Sequence, residues 1–252
     1  MIYLKTPFEI DKMRKAGKVV GDLLKFLEEK IQAGMTTKQL DTLADNFIRR
    51  HNAVPSFLNY GGYPASICCS IDDEVVHGIP SDRVIEEGQI VSVDVGAILD
   101  GWQGDAARTF LIGSVSEEKK KLVEVCKESF YKGIAEFKIG NRLGDISHAV
   151  QSHVESNGFS VVRVLVGHGI GKDMHEDPNV PNYGRAGSGC AGGKLYVCTV
   201  LFPVPQGAAS DRRIVPKEPF CGWTVVTNDG KPSAHYENTV ALTANGIEIL
   251  TL

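Results

Sequence analysis

Two aspartates, Asp94 and Asp105, flank the pair Asp100-Gly101 in the run "VSVDVGAILDGWQGDAARTF", residues 91–110. Asp-Gly is the strongest two-residue hairpin signal, because both positions accept positive φ. A two-residue turn there pairs Leu99 with Trp102 and, counting outward, Asp94 with Ala107. Directly opposed side chains share a face, as do positions two apart on one strand. Asp105 therefore falls diagonally across the ladder from Asp94, on the same face. Carboxylates that close repel unless a cation or a shared proton holds them together. Fixed in a sheet, they suit two metal ions about 3.5–4 Å apart with one oxygen ligand between them. A solvated face would also accept two aspartates. Against that, strand interiors disfavour Asp, Val91, Val93 and Val95 point the other way, and Ile98 and Phe110 are read as sharing the carboxylates' face.

Further donors lie downstream. "VGHGIGKDMHEDP" carries His168 and His175 in a glycine-rich stretch, "SAHYENTVAL" sets Glu237 in a strand-like run, and "DEVVHGIP" puts His77 just before a turn. His51, His148 and His153 fall on helical segments and read as ordinary surface residues. Two Asp, one Glu and a glycine-flanked His at strands or strand ends form a mixed N/O set suited to hard divalent ions. Spacing alone does not make them converge.

The elements that must position these groups follow a repeated order. "TPFEIDKMRKAGKVVGDLLKFLEEKIQAG" opens with Thr6 as N-cap, Pro7 at the first helical position and Glu9 closing a capping box. Ile10, Met13, Val20, Leu23, Leu27 and Ile31 follow at helical spacing, and Gly34 ends the run. A second amphipathic helix carries Leu40, Leu43, Phe47 and Ile48, and residues 55–113 turn to short β-rich runs. The order then recurs: a helix over 116–139, a stop at Gly140, a helix over 145–156, and strand signals from 159 onward. At one constant offset Gly34 falls on Gly140, Leu40 on Ile146 and Leu43 on Ala149. Two related halves, about 1–113 and 114–252, sharing one sheet in a single catalytic domain are expected, with a site at their junction.

The chain has 252 residues, 42% hydrophobic and 23% charged, with a net charge of −4, which is ample for a buried core and gives no support for a nucleic-acid footprint. The start has no apolar signal region, and no stretch approaches the roughly 20 apolar residues that span a bilayer. The cysteines Cys68, Cys69, Cys126, Cys190, Cys198 and Cys221 form no C-x-x-C pair and read as free thiols. The expected address is the cytoplasm.

Four motifs together, "YGGYPASICCSIDDEVVHGIP", "GQIVSVDVGAILDGWQGDAARTF", "VGHGIGKDMHEDPNVPNYG" and "GWTVVTNDGKPSAHYENTVALT", give the chain a resemblance to the type I methionine aminopeptidases of the bacterial short form. The resemblance implies an α+β, pita-bread fold: a pseudo-twofold antiparallel sheet with helices on its outer face. It implies two divalent ions (Co, Mn, Fe or Zn), with Asp94, Asp105, His168 and Glu237 as ligands and Asp105 and Glu237 bridging. His77 and His175 would flank the substrate, and Tyr60, Tyr63, Cys68, Met174 and Trp223 would line the methionine pocket. The implied partners are nascent polypeptide N-termini with a small second residue, met at the ribosome by a monomer that binds neither membrane nor nucleic acid.

One departure stands out. The family carries a further Glu ligand, also the general base, in an I-E-P segment before the G-W-T-V-V strand. Here that stretch reads "RAGSGCAGGKLYVCTVLFPVPQGAASDRRIVPKEPFC", with Leu201 or Phe202 where the Glu should stand, and with Glu218 too near the final strand to replace it. The family pattern stops near Gly187 and resumes at Gly222. Divergence is one explanation, and compensating reading-frame slips across about 188–221 are the other. Weak or absent aminopeptidase activity is expected either way. The rivals are a non-catalytic pita-bread peptide-binding relic and a prolidase-like peptidase, although prolidases carry an additional N-terminal domain.

Overall fold

The computed structural model describes residues 1–190, 197–205, 215–216 and 222–252. Helix α1, Pro7–Lys30, begins as its sequence dictates: the Thr6 side chain accepts from Glu9 N, and Glu9 returns the bond to Thr6 N. Helix α2, Thr37–Arg50, repeats the device with Thr36 and Gln39. The first-half strands are β1, Val54–Pro55, β2, Ile67–Ile71, β3, Glu74–Val76, β4, Ile90–Leu99, and β5, Trp102–Leu111. Helices α3, Glu117–Ala135, and α4, Leu143–Ser156, come next. They are followed by β6, Val166–Gly169, β7, Glu176–Pro181, β8, Val197–Pro205, β9, Val215–Pro216, β10, Val225–Val226, β11, Ser233–Thr243, and β12, Gly246–Ile249. Gly34 and Gly140, the two equivalent stops, both take positive φ, 91° and 98°.

The main sheet runs β1-β4-β5-β11-β8-β6-β7, with β2 also on β4 and β12 on β11, and its described pairings are antiparallel. The β4–β5 hairpin is the one expected. Asp100 and Gly101 turn at φ 50° and 77°, and the ladder runs from Leu99↔Trp102 through Asp94↔Ala107 to Ile90↔Leu111. Phe110 corrects the parity assigned to it. It pairs with Val91, so it lies on the valine face rather than with the carboxylates.

That alternation divides the sheet. Val91, Val93, Val95, Ala106 and Phe110 pack beneath Val20, Leu23 and Leu27 of α1 and Leu40, Ala44 and Ile48 of α2. Each of the large side chains contributes about 1.5–3 kcal/mol by leaving water. In the second half Ala234, Tyr236, Val240 and Leu242 of β11 meet Leu122, Cys126 and Phe130 of α3 and Ile146 and Val150 of α4. Helix α1 comes close enough to β5 that a Cβ on Gly104 would sit 2.7 Å from Gly17 N, so both positions need glycine. The helices thus seal one face, and the strand carboxylates Asp94, Asp105 and Glu237 are left to the other.

Cys68, Cys69, Cys126 and Cys190 are free thiols, while Cys221 and Glu218 lie outside the described residues. No helix among the described residues is long and apolar enough to cross a membrane.

Candidate metal centre

The floor of the site is a row of directly paired residues crossing four strands: Cys68 on β2, Asp94 on β4, Ala107 on β5 and Glu237 on β11. Paired positions share a face, so the small Ala107 side chain leaves room for Asp94 and Glu237 to lean toward each other. Asp105, two residues before Ala107, joins them from the same face. It pairs with Gly96, where a Cβ would press within 3.0 Å of Met174 Cε and Phe57 Cε1. Thr239 ties Asp105 down, accepting from its N–H at 3.1 Å and donating to its carbonyl at 2.9 Å. Arg108, on the reverse face, stacks on Tyr236 at 4.2 Å and donates to Glu237 O at 2.6 Å and Asn238 Oδ1 at 2.7 Å.

His168 arrives from β6. Its Nδ1 lies 2.9 Å from Gly169 O, a bond that needs the proton on Nδ1. Its Nε2 lies 3.7 Å from Asp105 Oδ2. One donor atom each from Asp105, His168 and Glu237 lies within 4.8 Å of the others, and the same holds for Asp94, His235 and Glu237. Sequence reasoning missed His235. The signal was present, since it stands two residues before Glu237 on one strand and so shares its face. Its Nε2 sits 2.9 Å from Glu237 Oε2 in a nearly water-free position.

Charge is costly here. Burial, then the neighbouring Glu237, pushes the Asp94 carboxyl up to about 7. Burial, with Glu237 and Asp94 behind it, lifts Asp105 well above the ordinary carboxylate range. Asp94 Oδ1 and Asp105 Oδ1 are buried with no hydrogen-bond partner among the described residues. Three crowded carboxylates, with an unpartnered oxygen on Asp94 and on Asp105 and imidazole nitrogen alongside, are a donor set that divalent cations satisfy, because the ions supply the missing charge and take those lone pairs. The residues present therefore fit divalent metal ions.

The acids open into a cavity of about 200 Å³, and all eleven residues singled out from the sequence line it. Tyr63, Cys68, Met174 and Trp223 give one wall, with Tyr63 edge-on to Trp223 at 5.4 Å and 81°. Desolvation raises the Cys68 thiol, so it stays neutral. Tyr60 Oη lies 2.7 Å from His175 Nδ1, and the His175 ring stands 4.2 Å from that of His168. Burial, reinforced by His168, lowers His175 to about 4, and burial with His235 nearby also lowers His77, so both are neutral at pH 7. His77 stands 6.1 Å from Trp223, edge-on. Phe57, Val76, Leu165 and Val166 complete the lining, and no local pattern in the sequence marks them out. On the next strand, the register pairs Leu201 with Glu237 and Phe202 with Tyr236.

Comparison with known proteins gives the family. The sequence matches the profile of Metallopeptidase family M24 over residues 11–244. It is 58% identical to the methionine aminopeptidase of Clostridium acetobutylicum, covering 100% of this chain and 99% of the relative. It is 47% identical to methionine aminopeptidase 1 of Bacillus subtilis, covering 100% and 99%. The crystal structure of methionine aminopeptidase from Rickettsia prowazekii superposes with a TM-score of 0.96 at 41% identity over 100% of both chains. Xaa-Pro dipeptidase from Bacillus anthracis shares the fold alone, with a TM-score of 0.77 at 20% identity over 98% of this chain and 61% of that one. The fold is the pita-bread fold, and the chain belongs to metallopeptidase family M24, among the methionine aminopeptidases.

Proposed function

We propose that the chain removes N-terminal methionine from peptides and nascent proteins with a small second residue, as a cytoplasmic monomer meeting its substrates near the ribosome. The observation that carries this reading is the convergence of Asp94, Asp105, His168 and Glu237 on the floor of a cavity walled by Tyr63, Cys68, Met174 and Trp223. In this reading residues 1–113 and 114–252 act as one catalytic unit, each half supplying two of the four ligands. When bound, a pair of divalent ions (Co, Mn, Fe or Zn) supplies Lewis acidity and water activation at neutral pH.

The chain's own residues do the rest. The methionine side chain seats against a polarizable, mostly apolar wall suited to a thioether. With Tyr60 as donor to His175 Nδ1, the remaining ring proton sits on Nε2 of a ring that lines the cavity. From there it donates to the scissile carbonyl oxygen as negative charge develops. His77, neutral and beside Trp223, flanks the same position.

The segment in which the family carries its general base offers no glutamate, because the sequence holds none between Glu176 and Glu218. Loss of a general base lowers rate by about 10²–10⁴, so the chain as written turns over slowly. That same gap favours the second reading, a peptide-binding relic of the fold, and metal content separates the two. The test is metal-dependent release of methionine from Met-Ala-Ser with Mn(II) or Co(II), run beside Leu201→Glu and Phe202→Glu. The register makes Leu201 the partner of Glu237 and therefore the better site for a restored acid. Slow release that either variant accelerates supports the reading. Rates equal to those of the relatives refute the impairment, and a chain that neither binds ions nor releases methionine refutes the peptidase. A gene whose neighbouring frame across about 188–221 encodes I-E-P would assign the gap to reading-frame slips.

A further inference from the structure

We infer that His235 is a metal ligand of this centre, giving each of the two ions its own imidazole. This rests on the metal-centre reading above. The two donor sets share only Glu237: one adds Asp105 and His168, the other Asp94 and His235. Each is thus one aspartate, one histidine and the common glutamate.

Three features place the His235 ring for this role. It alternates onto the Glu237 face of β11, two residues along the strand. Its backbone is pinned at both ends by Thr109 Oγ1, which accepts from His235 N at 2.8 Å and donates to His235 O at 2.9 Å. The ring is 1% exposed, so almost no water competes for its nitrogen. Nε2 meets Glu237 Oε2 at 2.9 Å, the separation of two ligands that can converge on one ion once the proton between them is gone. A nitrogen donor at the Asp94 end partly offsets the carboxylate that the neighbouring strand lacks. It also tilts the centre toward Co and Zn over Mn, following the usual order of divalent affinities.

The experiment counts imidazoles rather than turnovers. The full chain is loaded with Co(II), the bound ions are quantified, and the paramagnetically shifted, exchangeable imidazole N–H protons are recorded by proton NMR in water. Two ions with two such signals in the wild type are expected, falling to one signal in His235→Gln. Gln keeps an N–H for Glu237, and the variant should bind the second Co(II) at least about ten-fold more weakly. Two ions with a single imidazole signal in the wild type would assign His235 to hydrogen bonding alone and overturn the inference while leaving the metal centre intact. A wild-type chain that holds no Co(II) would overturn both. The wild-type count stands whether or not the variant folds.

Discussion

Asp94→Asn should stabilise the metal-free protein, and by more as pH rises from 5 to 7. Burial lifts the Asp94 carboxyl from 3.8 to about 7, so the folded chain holds a proton that the unfolded chain releases near pH 4. The native state binds more protons than the unfolded one across that window, and stability falls as pH rises through it. The penalty is absent below the unfolded value and complete above the folded one. A full pH unit between costs about 1.4 kcal/mol, and because the folded acid is already ionising near 7, passing from pH 5 to 7 removes about 2 kcal/mol. His175, lowered to about 4, works in the opposite direction: its contribution is present above the ordinary histidine value and fades as pH falls. The quantity to read is therefore the difference between wild type and Asp94→Asn, in which His175 cancels. Urea unfolding in chelator at pH 5, 6 and 7 should show the variant gaining about 2 kcal/mol on the wild type over that range. Saturating Mn(II) should reverse the order, because the ion binds the ionised wild-type acid. A gap that stays constant with pH in chelator would refute the account of a carboxylate held neutral by its surroundings.

Glu237→Gln removes the one carboxylate common to both donor sets, so metal analysis of the loaded variant should find well under one ion per chain against two in the wild type. Gly17→Ala would put a Cβ 2.3 Å from the Leu250 carbonyl oxygen; urea unfolding should show a loss of about 1–3 kcal/mol or more, as overpacking against backbone does. Tyr60→Phe deletes the hydroxyl 2.7 Å from His175 Nδ1. A neutral hydrogen bond is worth about 1 kcal/mol, so kcat/KM on Met-Ala-Ser should fall about five-fold, with kcat carrying most of the change.

The hairpin was legible because its information is local: an Asp-Gly turn fixes a register, and the register fixes which residues face one another. The same arithmetic, applied to the wrong parity, misplaced Phe110. The helix starts at Thr6 and the stops at Gly34 and Gly140 were legible for similar reasons, since caps and positive φ are properties of a few adjacent residues. His168 beside Asp105 was not, because their approach depends on β11 and β8 lying between β5 and β6, an order no local pattern encodes. The cavity wall came from likeness to a family rather than from spacing, for Tyr60, Tyr63, Met174 and Trp223 carry no periodic signature. His235 was overlooked although the alternation that exposed Glu237 applied to it equally.

The ladder between β5 and β11 is short: its described pairs are Glu237↔Ala107 and Asn238↔Ala106. Two of the acids lie on one side of that seam, and the third acid and both imidazoles lie on the other. Cations gripped from both banks would act as a clasp across this short join in the sheet. Starving the protein of metal would then do more than silence chemistry. It would unfasten the place where the two halves meet, making ion supply a determinant of how long the chain survives proteolysis.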